Sequence, residues 1–458
     1  MQHIVIIGNG ISGITAARHI RKLSDHKITI ISGETDHFFS RTALMYVYMG
    51  HMKFEHTKPY EDDFWAKNRI ELVRAWVTNI DFENKKLLLD TQTTIAYDKL
   101  ILALGSKPNK FGWKGHDLKG VQGLYSYQDL ESLENHTSKI KHAVVVGGGL
   151  IGIELAEMLL SRGITVTFLV REDSFWNNVL PTEESEMINR HIREHHVDLR
   201  LSEELGEIIG DKSGEVEAVI TKSGEKINCQ FVGLTVGVSP NINLLNSSSE
   251  KSPLSIEKDL GATVATVRCN RGILVNEYLE TNQKDVYAIG DCAEHANPAS
   301  GRRAIEQIWY TGRIMGETVA QTICRNPTKY NPGVFFNSAK FFDIEYQTYG
   351  QVPAQTPDGI KSFYWQNTDK KLLVRINYNT ENQAVVGMNT FGIRMRHEIW
   401  DDWIKAQKTI DFVLENLPKA NFDPEFFKQY ESEILEKYNS ENGTNFKLKA
   451  KKGILNWF

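Results

Sequence analysis

Cysteine is scarce. The 458 residues hold four, Cys229, Cys269, Cys292 and Cys324, and none forms a C-x-x-C pair. That spacing argues against a disulfide framework and against a structural zinc cluster, and it fits a reducing compartment. Long apolar runs are missing too, so nothing approaches the ~18 residues of a membrane span. The short run 4–7 meets glycine at once, which is no secretory leader. The expected address is therefore the cytoplasm. A basic excess is also absent. The net charge is −5, and a nucleic-acid partner is not expected. The segment "RHIREHH" (190–196) sets His191 and His195 four apart on one helix face, a spacing that can hold a metal. No third ligand or glutamate base stands near them in the chain, so no metal is expected.

Glycine is what the chain has in pattern. The stretch "IVIIGNGISGITAA" (4–17) returns as "AVVVGGGLIGIELAE" (143–157). Each reads as a buried strand, a G-x-G-x-x-G turn, an apolar-periodic helix and then a second buried strand. The glycines are Gly8, Gly10 and Gly13 in the first, and Gly147, Gly149 and Gly152 in the second. The first glycine of such a turn allows the bend, the second lets backbone approach a pyrophosphate, and the third lets helix pack on strand. Free N–H groups at the helix start then favour the negative charge. A lone motif of this kind is weak evidence, but the strand-before, helix-after context confirms it twice. Two dinucleotide cradles in one chain suit one nucleotide that stays and one that visits. At this length two or three domains are expected.

Five segments, in order, carry a resemblance. After the first strand–turn–helix unit comes "FFSRTALMYVYMG", similar to an arginine-bearing flavin loop. "AYDKLILALGSKP" ends a strand at Ala103-Leu104-Gly105. The second glycine motif follows, then "LTVGVSPN", then "GILVNEYLETNQKDVYAIGDCAE". Together they resemble the two-dinucleotide-binding-domain flavoproteins of the pyridine nucleotide–disulfide oxidoreductase superfamily, over about residues 1–330. The resemblance implies an α/β fold of two Rossmann-like, three-layer (ββα-type) dinucleotide-binding domains, the second inserted in the first, plus an α+β C-terminal domain. FAD-binding segments would occupy 1–115 and 247–330, the NAD(P)-binding domain 116–246, and an interface or dimerisation-type domain 331–458. The serine cluster 246–252 reads as the linker at the second crossing. Disulfide reductases of this superfamily carry cysteines after the first flavin loop. Here no cysteine precedes residue 229, and Ser40, Arg41 and Thr42 stand in that loop. The chain therefore resembles the ferredoxin and rubredoxin reductases, the nitrite reductase flavoprotein and the apoptosis-inducing-factor-like branch, which have no redox-active disulfide.

The resemblance assigns residues. Glu34 would bond the adenosine ribose of FAD, and Arg41 would meet the flavin or its pyrophosphate, where a guanidinium matches phosphate oxygens in fork geometry. Gly105 closes the flavin-domain strand, and Gly290 with Asp291 would contact the ribityl chain. The stretch 302–320 resembles the last flavin-domain helix, its N-terminal amides near Glu306 and Gln307 facing the isoalloxazine. Trp309 is either a flavin cover or plain core. Cys292, next to Asp291, reads as a small buried thiol. Glu154 would sit near the nicotinamide ring and orient its carboxamide, since close alignment of the reacting atoms matters more here than an acid. In "FLVRED", Val170 replaces the acid that favours NADH, and Arg171 could meet a 2′-phosphate. Glu172 and Asp173 oppose this, so the lean to NADPH over NADH is slight.

Beyond 331 the pattern turns to strands. "HEIWDDWIKAQKTIDFVLENL" reads as one amphipathic helix, "EFFKQYESEILEKYNSENGTN" as a charged linker, and 446–458 as a basic–aromatic tail suited to a membrane surface or partner groove. In the family such a domain dimerises or covers the flavin. The expected function is an FAD-dependent NAD(P)H oxidoreductase passing electrons to an external acceptor, ferredoxin or rubredoxin by family preference. Two rivals stay open: an NAD(P)H–quinone reductase at a membrane surface, and an apoptosis-inducing-factor-like redox-sensing interaction protein.

Overall fold

The computed structural model describes residues 1–246, 266–422 and 425–449. Residues 247–252 of the linker expected at 246–252 and most of the basic–aromatic tail lie outside them. Among the described residues there are three five-stranded sheets. The first runs, edge to edge, Val286–Ala288, Lys99–Leu102, His3–Ile7, Lys27–Ser32, Ile70–Arg74, and every pair is parallel. The second runs Asp198–Leu201, Thr165–Val170, His142–Val146, Phe231–Leu234, Val121–Gln122, again all parallel. Because Val286–Ala288 belongs to the first sheet, the second sheet's strands fall between strands of the first in sequence.

Each parallel sheet has a helical layer and an antiparallel three-stranded layer. The strand His142–Val146 shows why. Strand side chains alternate between faces. Ala143 and Val145 pack in one cluster with Ile153, Leu155 and Ala156 of the helix Leu150–Ser161. Val144 and Val146 pack in another with Leu205, Ile208 and Val219 of the meander Leu205–Gly210, Val216–Thr221, Lys226–Asn228. A strand apolar at every position thus reads as buried on both faces. The first unit repeats the plan. Its meander is Val77–Asp81, Lys86–Leu89, Thr94–Ala96, and Ile80, Leu87 and Leu89 share a core with Ile4–Ile7. The chain crosses between units at Ser106–Pro108 and returns at Val238–Pro240, and these passages pair as an antiparallel ribbon.

The third sheet is antiparallel, in the order Phe336–Phe341, Ile344–Gly350, Val385–Phe391, Leu373–Asn379, Ile360–Gln366. One face carries helices His397–Lys405, Ile410–Glu415 and Glu431–Asn442, with Trp400, Val413 and Ile434 packed on Val374, Ile376 and Met388. The opposite face packs Phe341, Leu373 and Phe391 with Phe168, Phe175 and Met187 of the second unit.

Three expectations about local structure are corrected. The stretch 302–320 is helical only from Trp309, in a helix Trp309–Ile323. Arg302 pairs with Glu306 at 2.6 Å in the loop before it, so Glu306 and Gln307 precede the helix. The single amphipathic helix is two, His397–Lys405 and Ile410–Glu415. Gln407 breaks it with a φ of +49°, and Thr409 caps the second through the Phe412 N–H. The charged linker contains the helix Glu431–Asn442, whose Ile434, Leu435 and Tyr438 are buried. The start of the tail folds back: Phe446 and Leu448 pack on the C-terminal core, and Lys449 pairs with Glu415 at 2.6 Å. Among the described residues no helix is long and apolar enough to cross a membrane.

Candidate dinucleotide site

The two glycine turns are built alike. Gly8 has a φ of +111°, and a Cβ there would lie 2.1 Å from the Ala103 carbonyl oxygen; one on Gly13 would lie 2.1 Å from the Gly8 oxygen. In the second turn Gly147 has a φ of +114°, with a Cβ 2.5 Å from the Thr235 oxygen, and one on Gly152 would lie 2.5 Å from the Gly147 oxygen. These four positions are closed by backbone. Gly10 and Gly149 differ: nothing lies within 4 Å of a Cβ placed on either. Both are the N-caps of their helices and lack a side-chain cap. The first N–H groups of each helix therefore have no side-chain cap, and the space beside the capping glycine is free, an arrangement that suits an anion. The first and third glycines serve packing and the second leaves room for a ligand, so both turns fit a pyrophosphate.

Four expected residues from separate segments are joined by one hydrogen-bonded chain. Glu34 follows the strand Lys27–Ser32 and accepts from Arg41 through both oxygens, each at 2.7 Å. Its Oε1 also accepts from the Tyr127 N–H at 3.0 Å. Arg41 donates to the Tyr125 carbonyl at 2.6 Å and lies 4.5 Å from the centroid of that ring. Burial opposes the charge on Arg41, but Glu34 outweighs it and the guanidinium is held above its ordinary range. Tyr125 Oη donates to Asp291 Oδ2 at 3.1 Å and accepts from the Ser106 N–H at 2.9 Å. Gln307 Nε2 donates to Ser106 Oγ at 2.7 Å. Burial pushes the Asp291 carboxyl above its ordinary value, against the hydrogen bonds of Tyr125 and Ser106.

Tyr125 escaped the sequence reading because "GLYSYQDL" (123–130) matches no motif, and Ser106, although it lies in "AYDKLILALGSKP", was given no role of its own. The one signal was Gly105, whose φ is +70° and whose Cβ would stand 2.9 Å from Tyr125 Oη. Gly290, with a φ of +74°, is held in the same way: a Cβ would lie 2.3 Å from Ser12 Oγ of the helix Ile11–Leu23.

On the second cradle Glu154 is the fifth residue of its helix, one turn further in than a dipole partner would sit. Burial, and then the Glu157 carboxylate, push it up to about 7. Arg171 is mostly exposed and pairs with its neighbour Glu172 at 2.7 Å, so the structure does not bring it to the other site residues. Val170 is buried, and a Cβ on Gly148 would meet its Cγ1 at 2.7 Å.

No activated thiol stands in the network. Cys292, beside Asp291, is fully buried with its Sγ near the Leu102 and Ile289 carbonyl oxygens, and burial pushes it up to about 12. Burial pushes Cys229 up to about 12 and Cys269 to about 11, and raises Cys324. A thiol so raised is protonated at neutral pH and is a poor nucleophile.

Two parallel sheets, each ending in a glycine cradle, define a two-nucleotide α/β protein. The chain belongs to the pyridine nucleotide-disulphide oxidoreductase family, whose model matches residues 2–308. It is 28% identical over 397 residues to a nitrite reductase [NAD(P)H] of Bacillus subtilis (strain 168), covering 85% of this chain and 46% of that protein. It is 26% identical over 328 residues to a rubredoxin-NAD(+) reductase of Pseudomonas putida, covering 71% of this chain and 80% of that one. The chain thus spans under half the length of the nitrite reductase. A ferredoxin reductase from Rhodopseudomonas palustris matches its fold with a TM-score of 0.76 at 21% identity, over 95% of this chain and 100% of that one. Putidaredoxin reductase, solved in covalent complex with putidaredoxin, matches with a TM-score of 0.74 at 19% identity, over 88% and 92%.

Proposed function

We propose that this enzyme takes electrons from NADH or NADPH through bound FAD and delivers them to a small iron–sulfur protein of the ferredoxin or rubredoxin kind. The supporting observation is the thiol-free network Glu34–Arg41–Tyr125–Asp291 beside the first cradle. With all four cysteines unpaired and their thiols raised above the ordinary range, electrons have no protein disulfide to enter. They must leave for an external acceptor. FAD supplies the chemistry when bound: it accepts a hydride from the nicotinamide and releases electrons singly or in pairs.

The protein's own part is binding and alignment. Residues 1–115 and 247–330 form the FAD-binding domain in this reading, 116–246 the NAD(P)-binding domain, and 331–458 the interface domain. The Gly8, Gly10, Gly13 turn seats the FAD pyrophosphate. Arg41, pre-oriented by Glu34, faces its charge with a fixed fork, and the remaining lone pairs of Glu34 accept from the ribose. Asp291, steadied by Tyr125, and Gln307, steadied by Ser106, hold the ribityl and ring end near Gly105 and Gly290. Gly147, Gly149 and Gly152 seat the visiting nucleotide, and Glu154 positions its carboxamide. Val170 leaves no acid to demand a free 2′-hydroxyl, and Arg171 can exchange Glu172 for a 2′-phosphate. The preference for NADPH that follows is small.

The test is anaerobic stopped-flow reduction of the purified yellow protein by NADH and by NADPH, followed by ferredoxin, rubredoxin and quinone acceptors in turn. Rapid bleaching, with fast reoxidation by an iron–sulfur protein, supports the reading. A long-lived charge-transfer band with no fast acceptor overturns it.

A further inference from the structure

The histidine pair 191/195 has no part in the nucleotide sites, yet the fold completes it. The helix Thr182–Glu194 presents His191 on the face where His195 follows one turn later. From 148 residues further on, the two-residue turn between strands Phe336–Phe341 and Ile344–Gly350 brings Asp343 to both. Asp343 Oδ1 lies 2.6 Å from His191 Nε2 and 3.1 Å from His195 Nε2. One ligand atom from each of the three falls within 4.8 Å of the other two. The third ligand that the local sequence did not offer comes from another domain.

Several features make this more than a surface ion pair. The His191 side chain is 97% buried by its 3% exposure, and neither ring nitrogen has a well-directed hydrogen bond. Nε2 approaches the carboxylate closely but not along an N–H···O line, so its desolvated valence is unmet. Buried polar atoms in that state call for a partner. The other nitrogen, Nδ1, has Glu194 Oε2 at 3.6 Å behind it. A carboxylate there is the outer-shell partner that orients a ligating imidazole. Phe342, held at a φ of +55°, stacks flat on His195 at 4.2 Å between centroids and 6° between planes, fixing that ring.

We infer that His191, His195 and Asp343 form a site for a single divalent transition metal, Zn²⁺ by ligand type, that staples the helix Thr182–Glu194 to the C-terminal sheet. Two imidazoles and one carboxylate, with water as a fourth ligand, are a zinc-type donor set. Metal–ligand bonds of about 2.0–2.1 Å separate tetrahedral ligand atoms by about 3.3 Å. Asp343 therefore has to withdraw by well under 1 Å from His191, and its exposed carboxylate on a turn is free to do so.

The experiment uses the full-length, FAD-loaded, tag-free protein after dialysis against a chelator. Zn²⁺ binding is followed by calorimetry, and Co²⁺ binding by visible absorption. The expected result is one equivalent per chain, tetrahedral cobalt bands displaced by zinc, and a melting midpoint that rises with free Zn²⁺ as mass action requires. Since His191 is buried and its replacement could disturb folding, the variants are Asp343→Asn at an exposed position and His195→Ala at a half-buried one. Each should weaken Zn²⁺ binding at least tenfold and abolish the zinc-dependent rise. No saturable binding, or weakening by less than tenfold in both variants, overturns the site.

Discussion

Glu154 stands where burial and charge oppose each other. Its carboxyl titrates near 7 because burial, and then Glu157, penalise the ionised form. An acid raised by folding binds its proton more tightly in the native state than in the unfolded one. Its contribution is therefore most favourable below the unfolded value of 4.5 and is lost as pH rises toward and through 7. Each pH unit of such a shift is worth about 1.4 kcal/mol, so the full effect, discounted for solvent reach, is about 1–3 kcal/mol. Glu154→Gln should be near neutral at pH 4.5 and increasingly stabilising as pH rises to 8. Urea unfolding of both proteins across that range reads the difference, and a constant difference would contradict the assignment. Tyr125 gives a second residue-level prediction. Its hydroxyl serves Asp291 and the Ser106 N–H together. Tyr125→Phe leaves a buried carboxyl and a backbone donor without it, at a cost of about 1–3 kcal/mol in denaturant titrations. Substitution at Tyr127, whose backbone N–H alone reaches Glu34, should cost far less at this network.

At the scale of elements, the cradles separate packing glycines from ligand glycines, and substitution can tell them apart. Gly8→Ala puts a Cβ 2.1 Å from a carbonyl oxygen at a positive φ. The turn must distort, at a cost of about 3 kcal/mol or more. Gly10→Val meets open space at a φ of −69°, which any residue adopts. The variant should fold with a midpoint close to the parent's and yet retain FAD at least tenfold less well, read by absorbance after gel filtration. A yellow Gly10→Val protein would remove the first cradle as the pyrophosphate seat. The cradles were legible in sequence for the same reason they can be dissected: three glycines at fixed spacing encode backbone geometry directly. Other elements were not legible, because their causes are non-local or sit in a single dihedral. The helix from His397 ends at Lys405 because the chain at Gln407 turns left-handed, and nothing in the apolar periodicity marks it. Charge dominated the reading of 425–445, but three buried residues, Ile434, Leu435 and Tyr438, turn that stretch into a helix on the C-terminal core. Tyr125 and Ser106 became visible only once the strand ends were in place. The same holds for Asp343, which no local spacing could connect to His191.

At the scale of the molecule, the question is what fixes the C-terminal sheet against the second unit. Much of the contact is apolar, but a charged clamp runs through it. Arg375 on the strand Leu373–Asn379 donates to Glu184 Oε1 at 2.7 Å and to Glu183 Oε2 at 2.6 Å, both on the helix Thr182–Glu194. Asn389 completes Glu184 with a bond to Oε2 at 2.7 Å. Glu184 is fully buried and Arg375 nearly so. Deleting one partner strands the other charge out of water, whereas replacing both by apolar groups of like volume removes the desolvation cost as well as the attraction. Glu184→Ala should therefore destabilise by about 3–5 kcal/mol, while Glu184→Leu with Arg375→Met should recover most of that loss. The double-mutant cycle gives the coupling, provided each unfolding curve stays two-state. The single variant is expected to break that condition, because the C-terminal sheet loses its main polar tie to the nucleotide-binding half. Fluorescence of the C-terminal tryptophans Trp365, Trp400 and Trp403 should then fall before far-ultraviolet ellipticity does. Coincident transitions in the single variant, with a loss under 1 kcal/mol, would mean that the apolar face alone holds the halves together.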